Sequence, residues 1–340
     1  MQMDELLALR LTRQHLLSPT GAVSAASDLC GIQAQYLSHA LHALRIRTGE
    51  GRPDGLIKTW TLRGTLHLIP EGDLPLYFSR QGTPEDVCDT AWYRWSAKRG
   101  QAAEPARERY FAHLVCEHIV RGCDEREALR RVCREAGMTE TEETAIFHGW
   151  GGVIAELAQL GLLCFQVCPE KRYRLCPAFE PMPEAQAQLE LARRYFTHFG
   201  PATLRDAAYF FHAPQRQVKA WLEQLPAERV SCGGQDYFLL PGEDAGTIPD
   251  CLFLAGFDQL LLGYRKEDNP FLPPDHLRSI FNLAGNVAPA VLLHGRIVGK
   301  WKVTGGRAHI TLFETVSPED RRAILQKAEG LWPGGSAMDA

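Results

Sequence analysis

The chain has 340 residues, 45% of them hydrophobic, and a formal net charge of −4, which is ordinary for a soluble protein of two to four compact units. It contains no run of 18 apolar residues and no apolar core of a signal peptide, so we expect neither a transmembrane helix nor secretion, and a cytoplasmic location. The ten cysteines are scattered without a Cys-x-x-Cys pair, which favours buried reduced thiols over a zinc site.

The first 100 residues are predicted to form helices followed by a strand, as in a winged-helix unit. The apolar spacing predicts one helix over 4–15 and a helical face over 37–44. The stretch after residue 56 is predicted as a helix tail that breaks at Gly64 and is followed by a strand over 65–69.

Two glutamines in this first segment flank one small apolar residue, in Gly31-Ile32-Gln33-Ala34-Gln35. Side chains two apart share a face only where the backbone is extended or irregular, because on a helix they diverge. If Ala34 points inward, Gln33 and Gln35 both point into a cleft, where two neutral amides can orient a water molecule but neither can act as a strong base. This suits a reaction whose leaving group is already activated. The alternative is that both amides cap backbone groups in a loop.

The next two segments, 101–183 and 184–246, each read as helices followed by a hairpin. In the second segment, Ile154, Leu157 and Leu160 give one helical face, and the strands 162–166 and 173–175 follow. In the third segment, the predicted helices and hairpin strands are 184–196, 204–211, 215–224, 229–231 and 236–240. The similarity predicts an internal repeat of roughly 80 residues, longer than solenoid periods, with chance resemblance between amphipathic helices as the alternative.

From residue 247 to 330 the sequence becomes a series of short β-branched or aromatic runs separated by Gly, Asn and Pro. This composition predicts a small barrel or half-barrel closed by a helix over 320–330, with a flexible tail over 331–340. On the predicted strand 296–303, Lys300 and Lys302 share one face and Trp301 faces the core.

Basic residues are concentrated in windows that lack acids. The longest window comprises the 38 residues between Asp275 and Glu314. Its basic side chains are Arg278, Arg296, Lys300, Lys302 and Arg307. We interpret this window as one basic face of a modestly acidic protein. The alternative is that strands and buried segments simply lack charge.

Five strings, in this order, resemble the winged-helix DNA glycosylases of the AlkZ/YcaQ group. They are GIQAQ at 31–35, TLRGTLHL at 61–68, FGPAT at 199–203, FDQLLLGYR at 257–265 and HGRIVGKW at 294–301. The resemblance spans nearly the whole chain. It implies an α+β fold of three tandem winged-helix units (1–100, 101–183 and 184–246) followed by a small C-terminal β-barrel (247–330), C-shaped around a DNA-sized cleft.

The resemblance implies a monofunctional DNA glycosylase of base excision repair that hydrolyses the N-glycosidic bond of alkylated purines, including N7-alkylguanine in interstrand crosslinks. The family's catalytic signature, Gln, an apolar residue, then Gln or Asp, falls on Gln33 and Gln35. The Gln-x-Gln form resembles the branch associated with crosslink resistance in antibiotic producers. Because an N7-alkylated guanine leaves as a neutral base, no general acid is needed, and two amides predict a preference for cationic lesions.

The implied partner is double-stranded DNA carrying alkylated purines or crosslinks, bound by a monomer without metal, cofactor or membrane. The candidate DNA-contacting residues are Arg45, Arg47, Arg63, His67, Arg296, Lys300 and Lys302. A hydrogen-bonded structural role is the alternative for His67, a surface salt bridge for Arg63, and solvated edge charges for the strand lysines. The nearest lysine to the glutamines, Lys58, carries no mark of activation in the sequence, so lyase chemistry is not expected.

Two other classes of function remain at this point. A non-catalytic winged-helix regulator would need a basic recognition helix. The candidate helix 152–160 has no basic residue, while 215–224 carries Arg216 and Lys219. A protein-interaction scaffold is supported mainly by the net charge, and salt-dependent binding to duplex DNA would exclude it.

Overall fold

The computed structural model describes residues 1–149 and 151–338. The chain forms two compact units, the first made of Met1–Asp54 together with the chain from Leu189 onward, and the second of Gly55–Gln188. These units are larger than the predicted winged-helix segments, whose boundaries at 100, 183 and 246 stay predictions. Within the described residues, no helix combines the length and hydrophobicity needed to cross a membrane.

The helices of the described chain are mostly short. They are α1 (Met3–Arg13), α2 (Ala22–Asp28), α3 (Leu37–Thr48), α4 (Leu74–Tyr77), α5 (Ala91–Ala97), α6 (Pro105–Val120), α7 (Arg126–Glu135), α8 (Glu140–Ile146), α9 (Val153–Gln159), α10 (Glu184–His198), α11 (Leu204–Phe211), α12 (Gln215–Leu222), α13 (Gln259–Leu262), α14 (Leu277–Ile280) and α15 (Pro318–Leu331).

The strands are also short, apart from β10. They are β1 (Ile32–Gln33), β2 (Leu56–Trp60), β3 (Leu66–Pro70), β4 (Leu163–Phe165), β5 (Tyr173–Leu175), β6 (Glu228–Cys232), β7 (Gln235–Leu239), β8 (Cys251–Leu254), β9 (Ala290–Leu293), β10 (Arg296–Thr304), β11 (Arg307–Leu312) and β12 (Ser336–Met338). The chain is therefore of the mixed α+β class, as the sequence predicts.

The second unit contains four strands that pair antiparallel in the order β3-β2-β4-β5. The prediction of a helix tail before Gly64 is wrong, because residues 56–60 form strand β2. Ile57 and Thr59 alternate toward the interior, where they are 2% and 0% exposed, and β3 supplies a hairpin partner for the whole length of β2. The predicted helical face of α9 is confirmed, since Ile154 and Leu157 are buried in the core of this unit.

The first unit contains a five-stranded sheet in the order β12-β11-β10-β9-β8, and helix α15 packs against it. The described strands of this sheet do not close into the predicted barrel: β12 and β8 are its two edges. Residues 336–338 form strand β12, parallel to β11, where the sequence predicts a flexible tail. The predicted hairpin of the third segment is confirmed as β6 and β7, joined by Gly233-Gly234 with both φ values positive.

Two carboxyl groups are buried together in the second unit. Glu108 on α6 is 2% exposed and Glu156 on α9 is 1% exposed. Burial raises the pKa of Glu156 well above its ordinary 4.5, and the neighbouring Glu108 carboxyl is the second cause of this rise. Because the unfolded chain ionises near 4.5 and the folded chain only at higher pH, folding is most favoured at low pH, and this contribution is lost as the pH rises.

We therefore expect Glu156→Gln, which fixes the neutral form, to stabilise the protein at pH 8 by more than about 1.4 kcal/mol, the equivalent of one pKa unit. The free energy of unfolding is measured in urea at pH values from 5 to 9, where the variant should show a flatter profile than the wild type. Glu117→Gln, on the exposed face of α6, is the matched control. A Glu156→Gln profile parallel to the wild type would show that the buried carboxyl does not set the pH dependence.

Candidate functional site

The segment with the two glutamines has the irregular, partly extended backbone that the sequence predicts. Strand β1 ends at Gln33, and Gln35 lies in a bend just before α3. Ala34 is fully buried, as expected if it points inward, while Gln33 is 7% exposed and Gln35 is half-buried. Immediately upstream, Cys30 and Gly31 have φ values of 53° and 91°, so the chain reverses in the left-handed region between α2 and β1.

A second segment of the same unit holds this turn in place. The Gln259 side-chain amide donates a hydrogen bond to the carbonyl of Gly31, and Gln259 is only 1% exposed. Gln259 is the first residue of α13, and the preceding Asp258 caps that helix by accepting a hydrogen bond from the Leu260 amide at 2.9 Å. Asp258 therefore holds the start of α13, and with it Gln259, in place.

Asp258 also forms a fully buried ion pair with Arg47 at the end of α3. The two guanidinium nitrogens Nη1 and Nη2 donate to the two carboxylate oxygens at 2.9 and 2.7 Å, and both side chains are 0% exposed. Burial alone would raise the pKa of Asp258, but the charge and hydrogen bonds of Arg47 lower it below its ordinary value. Arg47 further donates to the backbone carbonyls of Gln14 and Ala43, which ties α1 to α3.

A cavity of about 690 Å³ lies beside α3, in the first unit. Its lining includes Ser38 and His39, which follow Gln35 by three and four residues, so the cavity adjoins the glutamine segment along the chain. The remaining lining residues are Leu41, His42, Arg45, Glu50, Gly51, Pro289, Trp301, Lys302, Val303 and Trp332.

Aromatic rings form one wall of this cavity. The Trp301 and Trp332 ring centroids lie 4.6 Å apart, and the His42 ring lies 4.8 and 5.6 Å from them. His42 donates from Nε2 to the Phe253 carbonyl at 2.8 Å, and burial lowers its pKa to about 4, so that the ring is neutral at pH 7. Arg45 reaches the same cavity and donates to the Leu331 carbonyl at 2.9 Å.

The sequence did not reveal this cavity. His39 and His42 stood in a window without acids, which was the available signal. Trp332 was placed in the predicted flexible tail, whereas it packs on the sheet that contains Trp301. The prediction that Trp301 faces the core is confirmed, since it is 7% exposed and its indole N–H donates to Leu254.

The candidate DNA-contacting residues of the first unit lie in different environments. Lys300 and Lys302 are exposed on one face of β10, as the alternation predicts. Arg296 is also exposed, and its guanidinium lies 3.1 Å from the Glu314 carboxylate. Arg47 has no accessible surface for a phosphate, because Asp258 and backbone carbonyls surround its guanidinium, so we leave it out of the DNA surface proposed below.

Arg63 and His67 lie in the second unit. Arg63 is half-buried, with a φ of 59° in the turn between β2 and β3. His67 is 1% exposed, with Nδ1 2.9 Å from the Thr61 hydroxyl and 3.1 Å from the Thr65 carbonyl. Burial is the main cause and the charge of Arg63 the second cause that lower the pKa of His67 to about 3, so its ring is neutral. These contacts fit the structural alternative for His67, and a DNA contact stays a prediction.

Lys58 on β2 has a lowered pKa, although its sequence context gives no sign of activation. Its ammonium lies 5.7 Å from the centroid of the Phe165 ring, and burial lowers its pKa. Lowered basicity is a property of lysine nucleophiles, so a test of monofunctional hydrolysis needs Lys58 as a control.

Comparison with known proteins gives one consistent result. A family model described as "DNA glycosylase AlkZ-like" matches residues 26–332. The chain is 27% identical to the "Interstrand DNA cross-link repair glycosylase" of Streptomyces sahachiroi, over 95% of this chain and 94% of that protein. The solved structure of the Streptomyces sahachiroi DNA glycosylase AlkZ superposes with a TM-score of 0.75, at 22% identity and with both chains covered completely.

The buried ion pair gives a direct test of how the glutamine segment is held. Asp258→Ala leaves the Arg47 charge buried without its partner, so we expect a loss of about 3–5 kcal/mol in the free energy of unfolding, measured in urea. Arg47→Met combined with Asp258→Leu should lose much less, because neither charge remains. Arg52→Ala, which removes an exposed pair with Glu50, is the control and should change stability by less than about 1 kcal/mol. Equal losses for Asp258→Ala and the double variant would contradict the interpretation.

Proposed function

Because the chain belongs to the AlkZ-like DNA glycosylase family, we propose that it hydrolyses the N-glycosidic bond of alkylated, cationic purines in duplex DNA, with Gln33 and Gln35 at the catalytic centre. The relative from Streptomyces sahachiroi is named as an interstrand crosslink repair glycosylase. We extend that substrate class to this chain, so the proposal includes crosslinks through N7 of guanine. Three winged-helix segments that arrange the chain for DNA are part of the same proposal.

The observation that carries the proposal is the conformation of the glutamine segment. Ala34 is buried between Gln33 and Gln35, in a segment without helical geometry, which supports a shared face for the two amide side chains opposite Ala34. The Gln259 hydrogen bond to Gly31 fixes the turn that delivers them. A fixed pair of amides can position a water molecule without reorganising during the reaction, which is the main requirement when the leaving group is already activated.

Amide groups suit this chemistry because the lesion itself carries the charge. The alkylated purine departs as a neutral base, so no acid has to protonate it, while the sugar passes through an oxocarbenium-like state. One amide oxygen accepts a hydrogen bond from the water and directs its lone pair toward C1′, and an amide N–H₂ holds a sugar or phosphate oxygen. The proton that the water loses as the C1′–O bond forms passes to the solvent. Since neither amide is an acid that could protonate the leaving base, uncharged purines should react poorly.

The cavity beside α3 is the site that we assign to the base or to its adduct. Its volume of about 690 Å³ lies within the range of small-molecule sites, about 300–1,000 Å³. The Trp301, Trp332 and His42 rings offer an aromatic wall against which a purine or an aromatic adduct can pack. Arg45 and Lys302 at the same cavity supply positive charge for phosphates.

One prediction of the proposed mechanism concerns the two glutamines. In a single-turnover assay with duplex DNA that contains one N7-methylguanine, Gln33→Ala and Gln35→Ala should each slow abasic-site formation by about 10- to 100-fold, because each removes one contact that positions the water. The double variant should be slower still, while the affinity for the duplex, measured by fluorescence anisotropy, should change by less than about 3-fold, since phosphate contacts supply most of it.

Lys58→Met is the matched control and should retain the wild-type rate if the reaction is plain hydrolysis. Loss of activity in Lys58→Met together with borohydride trapping of a covalent complex would replace hydrolysis by lyase chemistry. Unchanged rates in both glutamine variants would keep the activity and place the catalytic centre elsewhere.

Another prediction of the proposed function concerns the exposed face of β10. Lys300→Gln combined with Lys302→Gln should weaken binding to duplex DNA and reduce the slope of log Kd against log salt by about 1–2, since each phosphate contact contributes about 0.9. Lys327→Gln, an exposed lysine on α15, is the control and should keep the wild-type slope. A wild-type slope in the Lys300 and Lys302 variant would remove β10 from the DNA surface.

A further inference from the structure

Three side chains with metal-binding atoms meet in the first unit, apart from the glutamine segment and the cavity. His15 follows the C-terminus of α1, Asp28 is the last residue of α2, and His198 is the last residue of α10. His15 Nε2 lies 2.8 Å from Asp28 Oδ2, and His198 Nε2 lies 3.4 Å from Asp28 Oδ1. All three ligand atoms lie within 4.8 Å of one another.

The hydrogen bond of the other ring nitrogen of His198, Nδ1, determines which tautomer faces Asp28. His198 Nδ1 lies 3.1 Å from the Arg13 carbonyl, which can only accept, so Nδ1 carries the proton. With the proton on Nδ1, Nε2 is the ring nitrogen that faces the Asp28 carboxylate and is placed to act as a ligand. The 3.4 Å between His198 Nε2 and Asp28 Oδ1 is a separation that two ligands of one ion can have.

The backbone at His15 points to a role for its side chain. Helix α1 ends with the Leu16 amide bonded to the Leu11 carbonyl and the His15 amide bonded to the Thr12 carbonyl. His15 occupies the left-handed position of this motif, with a φ of 58°, where glycine is the usual residue. Residues other than glycine are uncommon at this position, and the His15 imidazole is 8% exposed beside Asp28.

We propose that His15, Asp28 and His198 bind a divalent transition-metal ion of the zinc type. In a tetrahedral zinc site with bonds of about 2.1 Å, ligand atoms lie about 3.4 Å apart, so the observed separations need only small side-chain rotations. Two imidazoles and one carboxylate match the preference of zinc, cobalt and nickel, and disfavour calcium or magnesium. The Arg13 carbonyl already orients the His198 ring, as second-shell partners do in metal sites.

Such an ion would join the ends of three helices with three protein ligands, leaving a fourth position for water at the partly exposed Asp28. Asp28 precedes Gln33 by only five residues, so the ion would also restrain the start of the turn that leads to the glutamines. The charge of Arg194 also acts on Asp28 and opposes the binding of a second cation there. This inference does not depend on the proposed catalytic roles and differs from the metal-free expectation drawn from the sequence.

The test uses the full-length protein after treatment with a chelator and removal of the chelator. Titration with ZnCl₂ in a calorimeter should give one site, and Zn²⁺ should raise Tm. Asp28→Asn, which preserves shape, and His198→Gln should each weaken Zn²⁺ affinity at least 10-fold and abolish the rise in Tm. His113→Ala removes a surface histidine that pairs with Glu85 and is the matched control, with binding unchanged.

Titration with CoCl₂ separates this site from the cysteines of the chain. Tetrahedral cobalt bands without cobalt–thiolate charge transfer, lost in Asp28→Asn, would support the proposal. The proposal is overturned if the wild type binds no Zn²⁺, if thiolate bands dominate, or if Asp28→Asn and His198→Gln bind like the wild type. Circular dichroism and the Tm without metal show whether each variant is folded, and a folded variant with wild-type Zn²⁺ affinity is decisive against the site.

Discussion

The buried ion pair between Arg47 and Asp258 is the constraint on which the candidate site depends. Two opposite charges without any solvent exposure are stable only when each is matched by good geometry and further hydrogen bonds, and both conditions are met here. The pair fixes the end of α3 against the start of α13. Because Gln259, the next residue after Asp258, bonds to Gly31, the same element positions the turn before the glutamines.

From this constraint the arrangement of the site follows. Helix α3 carries Ser38, His39 and His42 into the cavity directly after the glutamine segment, and its last turn is held by Asp258. The cavity wall is completed by Trp301 on β10 and by Trp332 after α15. The glutamine segment is therefore followed directly in the chain by a helix that lines an aromatic cavity within the same compact unit.

Local patterns predicted those parts of the site that depend on neighbouring residues. The extended backbone around Ala34, the common face of Lys300 and Lys302, and the buried face of Trp301 all follow from side-chain alternation. The strand over 56–60 was missed, since its residues are compatible with a helix until β3 is present to pair with it. Arg47 was assigned to DNA because nothing in its local sequence indicates a partner, and Asp258 lies 211 residues away.

The sequence by itself determined the family and the α+β class, because these depend on short strings and on periodicity within single elements. Only the tertiary structure decided which basic residues are accessible, that Trp332 joins the cavity, and that His15, Asp28 and His198 meet. The physical reason is that burial and charge pairing are properties of residues distant in the chain. An arginine on a helix looks the same in sequence whether it faces solvent or a buried carboxylate, and folding alone makes that distinction.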